Sequence, residues 1–142
     1  MKIGIGNDHH GLELKNKIIH YLEKNKIEYI DYGSYDNEMV DFVDYAVKVC
    51  DSVNQKNVNF GILICGTGIG MSIAANKIKG IICARVVNSE EAKLAREHNM
   101  ANVLALAENT ENIEEILLNF LNTQPSEVER YTRRTNKILN LN

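Results

Sequence analysis

The sequence predicts an α/β fold, a single-domain Rossmann-like doubly wound sheet of about five parallel strands with helices on both faces. Three observations predict it. Short apolar runs alternate with helix-periodic stretches five times along the chain. Phe60 to Cys65 is a continuous apolar run, as a strand covered on both faces requires. The 142 residues contain no linker, repeat or low-complexity tract, so one domain over residues 1–142 is expected.

The elements follow in order. Residues 2–6 predict a first strand ending in Gly6, and residues 12–24 a helix with Leu14, Ile18, Ile19 and Leu22 on one face. Residues 27–32 predict a second strand, closed by Gly33. A helix over about 41–53 carries the stripe Val43, Ala46, Val47, Cys50 and Val53. The third strand is followed by a glycine turn and a short helix to about Lys77. Residues 80–86 predict the fourth strand. Asn88 and Ser89 offer N-caps to a helix reaching about His98, with Glu90 and Glu91 in its first turn. Residues 102–107 predict the fifth strand. Thr110 can cap a helix that turns Ile113, Ile116, Leu117, Phe120 and Leu121 inward. After Pro125, Ser126-Glu127-Val128-Glu129 reads as a capping box opening a last, polar helix. So polar a helix is expected at an edge or on a partner subunit.

Bulk properties exclude several classes. With 44% apolar and 25% charged residues the chain can build a core and is not disordered. A net charge of −3 gives no basic field for nucleic acid. No run approaches the roughly 20 apolar residues of a membrane span. MKIGIGNDHH turns polar too early for a signal peptide, so a cytoplasmic location is expected. Cys50, Cys65 and Cys83 are odd in number and lack paired spacing, which reads as free thiols in a reducing compartment.

The chemistry concentrates in GILICGTGIGMSIAANK, residues 61–77. Gly66, Gly68 and Gly70 expose backbone N–H groups where a helix begins, which makes an anion site. The spacing G-x-G-x-G is not the dinucleotide fingerprint and lacks the P-loop Lys-Ser/Thr. Cys65 stands at the lip of this turn. A thiol beside a helix N-terminus is favoured as thiolate and can act as nucleophile or base; a buried strand-end Cys is the plainer reading of the same position. Cys50 and Cys83 fit the core.

Asn7-Asp8-His9-His10 directly follows the first strand, where ligands of open α/β sheets gather. Asp and His there can orient sugar hydroxyls or protonate an oxygen. No spacing supplies a third or fourth metal ligand. His10 reads as surface, and so does His20. His98-Asn99 closes a helix, where His can simply complement the helix dipole. Arg130 and Arg134 share a helix face at i, i+4 and together can grip a phosphate, unless Glu127 and Glu129 pair with them. A thiol, an N–H-lined pocket and an arginine pair suit proton transfer on a small phosphorylated sugar through an enediolate.

The chain resembles the type B ribose-5-phosphate isomerases, a family that includes galactose-6-phosphate and allose-6-phosphate isomerases. The resemblance rests on ILICGTGIGMSIAANK, with IGNDHHG, DFVDYA, REHN, NVLAL and the spaced terminal arginines. It implies an aldose–ketose isomerase of the pentose phosphate pathway, interconverting ribose 5-phosphate and ribulose 5-phosphate through a cis-enediolate. By resemblance Cys65 is the base. Gly66, Thr67, Gly68, Gly70 and Ser72 line the enediolate pocket. His98 opens the furanose ring, helped by Asp8 and Thr67. Asn99 holds a sugar hydroxyl, and His9, Arg130 and Arg134 bind phosphate. The resemblance also implies a homodimer or dimer of dimers with sites shared between subunits, and neither a metal nor an organic cofactor.

The chain departs from the family in three places. Asn7 stands where the family usually has Cys, Phe42-Val43 where it usually has Tyr-Pro, and Asn109 where it often has a basic residue near the phosphate. Arg133 is a candidate to compensate for Asn109. The last two departures leave a hexose 6-phosphate, allose or galactose, as an alternative substrate. Two other classes compete: a nucleotide-binding α/β module, for which Asp31 precedes the expected ribose-anchoring position, and thiol redox or acyl-transfer chemistry, for which no C-x-x-C or nucleophile elbow is present.

Overall fold

The computed structural model describes residues 1–141. Its elements are β1 (Lys2–Asn7), α1 (Leu12–Lys24), β2 (Glu28–Asp31), α2 (Phe42–Asn54), β3 (Phe60–Cys65), α3 (Ile69–Asn76), β4 (Cys83–Arg85), α4 (Ser89–Asn99), β5 (Val103–Ala107), α5 (Ile113–Asn122) and α6 (Glu129–Leu139). The five strands form one sheet in the order β2-β1-β3-β5-β4, and every pairing is parallel. The expected α/β architecture is therefore present.

Strand alternation sorts the core into two layers. Ile3, Ile5, Ile62, Ile64, Leu104 and Leu106 pack against α1, α4 and α5. Leu63, Cys65, Val103 and Ala105 pack against α2 and α3. Gly61 lets α2 approach closely: a Cβ there would lie 2.6 Å from Val49 Cγ1.

That approach sets the rotation of α2 and corrects its predicted stripe. Ala46, Val49, Cys50, Ser52 and Val53 are buried, whereas Val43 and Val47 are exposed. Helix α1 has the predicted span, but Lys15 joins Leu14, Ile18, Tyr21 and Leu22 among its buried residues. Strand β4 is shorter than predicted: Gly80 turns at φ +89° and Ile82 N donates to Asn102 Oδ1 at 2.9 Å before the strand begins. Asn76 Nδ2 donates to Cys83 O at 2.9 Å, and Cys83 N donates to Asn76 Oδ1 at 2.8 Å.

Two predicted caps are not formed. Helix α5 starts after Asn112, while Thr110 Oγ1 donates back to Ala107 O at 2.6 Å. Helix α6 starts after Val128, because Ser126 Oγ accepts from Val128 N at 3.2 Å in a local turn instead of capping a helix. Asn88 does cap α4, accepting from Glu91 N at 2.8 Å. Helix α6 rests on α4 and buries only Thr135. Among the described residues no helix is long and apolar enough to cross a membrane.

Candidate functional site

The chain leaves β1 toward β2 on one side and β3 on the other, so strand order reverses between β1 and β3. A crevice opens at such a switch point, outside the carboxyl ends of the strands. Two segments meet there: the loop after Asn7 and the glycine turn after Cys65.

The β1 loop is pinned by its own backbone. Asp8 is buried, and its N–H donates to Ile64 O at 3.0 Å. Its Oδ1 accepts from His10 N at 2.9 Å, and its carbonyl accepts from Asn7 Nδ2 at 2.8 Å. His9 Nδ1 accepts from Val40 N at 3.3 Å. That bond leaves the ring proton on Nε2, free to donate to a ligand. The His10 ring lies 4.3 Å from that of His9, and His10 Nδ1 meets Glu108 Oε2 at 3.1 Å.

Cys65 ends β3 and is 5% exposed. Its Sγ accepts a hydrogen bond from Gly68 N at 3.2 Å. Gly68 precedes α3 with φ +75°, and a Cβ there would lie 3.0 Å from the Leu106 carbonyl carbon. Glycine is required at this position. Gly66 is different: the nearest atoms to a Cβ would be Glu108 Oε2 at 3.6 Å and the His10 ring at 3.7 Å. Its backbone is bare toward the crevice mouth. Thr67 is exposed; its Oγ1 accepts from Ile69 N at 3.2 Å, and its carbonyl accepts from Arg85 Nε at 2.8 Å. Ser72 Oγ donates to Ile69 O at 3.0 Å. Gly70 sits under Phe42, whose Cζ would be 2.7 Å from a Cβ.

The other two thiols are core residues. Burial, then Asp51, pushes Cys50 up to about 12. Cys83 is raised too, by burial and then by Cys50. Both stay protonated at neutral pH.

The carboxyl ends of the neighbouring strands β1 and β3 thus carry Asp8, His9, Cys65, Gly66, Thr67, Gly68, Gly70 and, one turn into α3, Ser72. They do not carry His98, Asn99, Arg130 or Arg134. Helix α4 starts beyond the end of β4 and runs back, so His98 and Asn99 precede the start of β5. Cys65 pairs with Ala107 at the opposite end of β5. The backbone rises roughly 13 Å along β5 between the end near α4 and the end beside Cys65. At that far edge His98 stacks on Tyr131, with centroids 4.2 Å apart and planes 5° apart. The Arg130 guanidinium lies over the same ring at 4.6 Å. Glu129 pairs with Arg133 at 2.6 Å. Arg130 and Arg134 make no ion pair among the described residues.

An apolar groove adjoins the glycine turn. It is lined by Phe42, Val43, Val47, Gly70, Ile73 and Ile78. Val43, Val47 and Ile73 are exposed there, and so is Ile69.

Sequence reasoning missed Lys15. It is 2% exposed, its Nζ lies 3.1 Å from Asp31 Oδ1, and it donates to Ser34 O at 2.5 Å. Asp31 Oδ1 also accepts from Gly33 N at 2.9 Å. This carboxylate is committed to the β2 exit turn and is not free to hold a ribose. The turn in turn pairs with β1, since Asn7 N donates to Gly33 O at 2.7 Å and Ser34 N to Asn7 O at 2.8 Å. An apolar-helix pattern carries no signal for one buried lysine.

A family model described as Ribose/Galactose Isomerase matches residues 3–138. A Mycoplasma pneumoniae protein named probable ribose-5-phosphate isomerase B is 44% identical over 142 residues, covering 96% of this chain and 92% of that one. The structure of Clostridium thermocellum ribose-5-phosphate isomerase B superposes with a TM-score of 0.93 at 44% identity, over 98% of this chain and 95% of that one. The Mycoplasma genitalium ribose-5-phosphate isomerase B structure, which holds ribulose 5-phosphate, gives 0.89 at 39% identity, over 97% and 93%.

Proposed function

The chain belongs to the ribose/galactose isomerase family, and from that membership we propose that it interconverts ribose 5-phosphate and ribulose 5-phosphate, with Cys65 as the base. One observation carries the chemistry. A buried thiol at the sheet's switch point accepts a hydrogen bond from the backbone N–H that opens α3. A sulfur held there by a backbone donor is fixed in place as a base for the proton on the carbon beside the carbonyl. The enediolate that forms needs fixed donors around its oxygen. The exposed Thr67 and the bare Gly66 backbone lie where such an oxygen would sit.

The remaining roles follow the positions of the groups. His9 presents Nε2–H toward the phosphate end. Asp8 lies behind the loop and orders it, and with Thr67 it assists ring opening. Ser72 supports the turn from inside α3. His98 opens the furanose, Asn99 holds a hydroxyl, and Arg130 and Arg134 take the phosphate.

These last four groups reach the crevice from a second copy of the chain. The length of β5 lies between His98-Asn99 and Cys65 within one chain, and Arg130 sits beside His98 on Tyr131. The apolar groove beside Gly70 offers the surface on which the second copy docks, and its exposed Val43, Val47 and Ile73 are otherwise in water. Three free, buried thiols support a reducing, cytoplasmic setting.

Proton NMR of ribose 5-phosphate in heavy water tests the substrate. Ribulose 5-phosphate formation with deuterium at the transferred position is the expected result. Turnover of allose or galactose 6-phosphate alone would move the substrate to a hexose. Turnover of none of them would remove the isomerase assignment.

A further inference from the structure

We propose that His10 is a substrate-contacting residue that donates its Nε2–H to the phosphate of the bound sugar, while Glu108 holds the ring in place. The inference rests on the sugar-phosphate reading above and goes beyond it, because none of the groups so far assigned to phosphate is His10.

Three loops meet at Gly66. The β1 loop supplies His10, the β5 loop supplies Glu108, and the two join at 3.1 Å across the bare Gly66 backbone. Any ligand lying over Gly66 touches this bridge, since both partners lie within 3.8 Å of a Cβ built there. The pair is half exposed, with side-chain exposures of 53% and 45%, and the ring turns Cδ2, the neighbour of Nε2, toward Gly66 at 3.7 Å from a Cβ built there. Glu108 occupies Nδ1 and leaves Nε2 as the free nitrogen.

Charge points the same way. Glu108 is acidic at this edge and Asp8 is buried behind it, so an anionic ligand needs cations close by. The candidate in the β5 loop, Asn109, is neutral. The Arg85 side chain is turned to the Thr67 carbonyl, and Arg133 is paired with Glu129. Arg85 keeps its charge beside Thr67, and His9 and His10, 4.3 Å apart, are the groups of the β1 loop that can add positive charge at the Gly66 edge.

Protonation is then fixed by the partners. With a carboxylate on Nδ1 and a phosphate on Nε2, both nitrogens face acceptors, and both must carry hydrogen. The ring binds as imidazolium, and binding takes up a proton from solvent whenever the free ring is neutral. The titratable groups facing His10 are Asp8 and His9 from its own loop and Glu108 from the β5 loop; the β3 turn contributes only Gly66 at this contact.

The test is calorimetric titration of inorganic phosphate and of ribose 5-phosphate into wild type, His10→Gln, His10→Ala and Glu108→Gln. Each is run above neutral pH in two buffers of different ionisation enthalpy, with turnover measured alongside. His10→Ala is expected to weaken phosphate binding roughly tenfold and to lose proton uptake. His10→Gln retains a neutral donor, so it recovers part of the affinity and none of the uptake. Glu108→Gln weakens binding less than His10→Ala. Equal affinity and equal uptake in wild type and both His10 variants overturns the proposal, as does a wild type that binds no phosphate. His10-dependent phosphate binding without turnover of ribose 5-phosphate would sustain the proposal and remove the pentose assignment. Turnover with KM unchanged by His10→Ala would do the reverse.

Discussion

The backbone N–H of Gly68 donates to the sulfur of Cys65 at 3.2 Å, across a turn three residues long. The strand delivers the thiol and the helix start delivers the donor. Neither element alone makes the contact, and the left-handed backbone of Gly68 is what folds one onto the other.

Cys65→Ser removes the sulfur base while leaving an acceptor of similar size for the Gly68 N–H. Isomerisation should fall about 10²–10⁴-fold, the range of one general base. Thermal unfolding should remain cooperative, with a change under about 1 kcal/mol. Turnover within tenfold of wild type would place the base elsewhere.

Two glycines of one turn should respond oppositely to Ala. At Gly68 the substitution meets φ +75° and the Leu106 backbone at 3.0 Å. Gly68→Ala should cost about 1–3 kcal/mol of stability. At Gly66 a Cβ finds its nearest neighbour at 3.6 Å. Gly66→Ala should therefore unfold like wild type yet raise KM or lower kcat, because its methyl group enters the crevice mouth. Urea titrations beside steady-state rates separate the two. Equal loss of stability in both variants would refute the distinction.

Lys15 ties α1 to the β2 exit turn through Asp31 and Ser34. Lys15→Met should cost about 1–3 kcal/mol in denaturant unfolding, since Asp31 retains some solvent and the Ser34 carbonyl loses its partner. An unchanged midpoint would mean that the buried ammonium contributes nothing net.

Cys50 gives a pH prediction. Burial holds its proton to about 12, against an ordinary 9.0. Between those values the unfolded chain has released the proton and the folded chain has not. Stability contributed by this group is therefore full below about pH 9 and declines as pH rises toward 12. Cys50→Ala should show a shallower alkaline decline than wild type in unfolding midpoints measured from pH 8 upward. Parallel declines would contradict the buried, protonated thiol.

The fold was legible because periodicity reports burial. Phe60 to Cys65 is apolar throughout and is a central strand; the spacing of Ile113, Ile116, Leu117, Phe120 and Leu121 describes the buried face of α5. The stripe of α2 was misread because Val43 and Val47 are apolar without facing the sheet. Their groove beside Gly70 has no partner among the described residues, and a periodicity argument assigns every valine to one core. Caps at Thr110 and Ser126 failed because both hydroxyls bond locally within turns. Around the crevice, the glycine turn and Asp8-His9 were legible from glycine spacing and polar residues at a strand end. Lys15–Asp31 and His10–Glu108 were not, since they join residues 16 and 98 positions apart. That the length of β5 lies between His98 and Cys65 follows only once β4, α4 and β5 are placed in order.

That separation calls for a site shared between two copies, and mixing two inactive variants tests it. Cys65→Ser and His98→Ala are unfolded together, refolded together and assayed on ribose 5-phosphate. If each site combines Cys65 of one copy with His98 of the other, mixed dimers hold one intact site. Activity should then return to about a quarter of wild type for random pairing. If the site belongs to a single chain, no pairing restores it, and activity no higher than the sum of the separate variants would contradict the account.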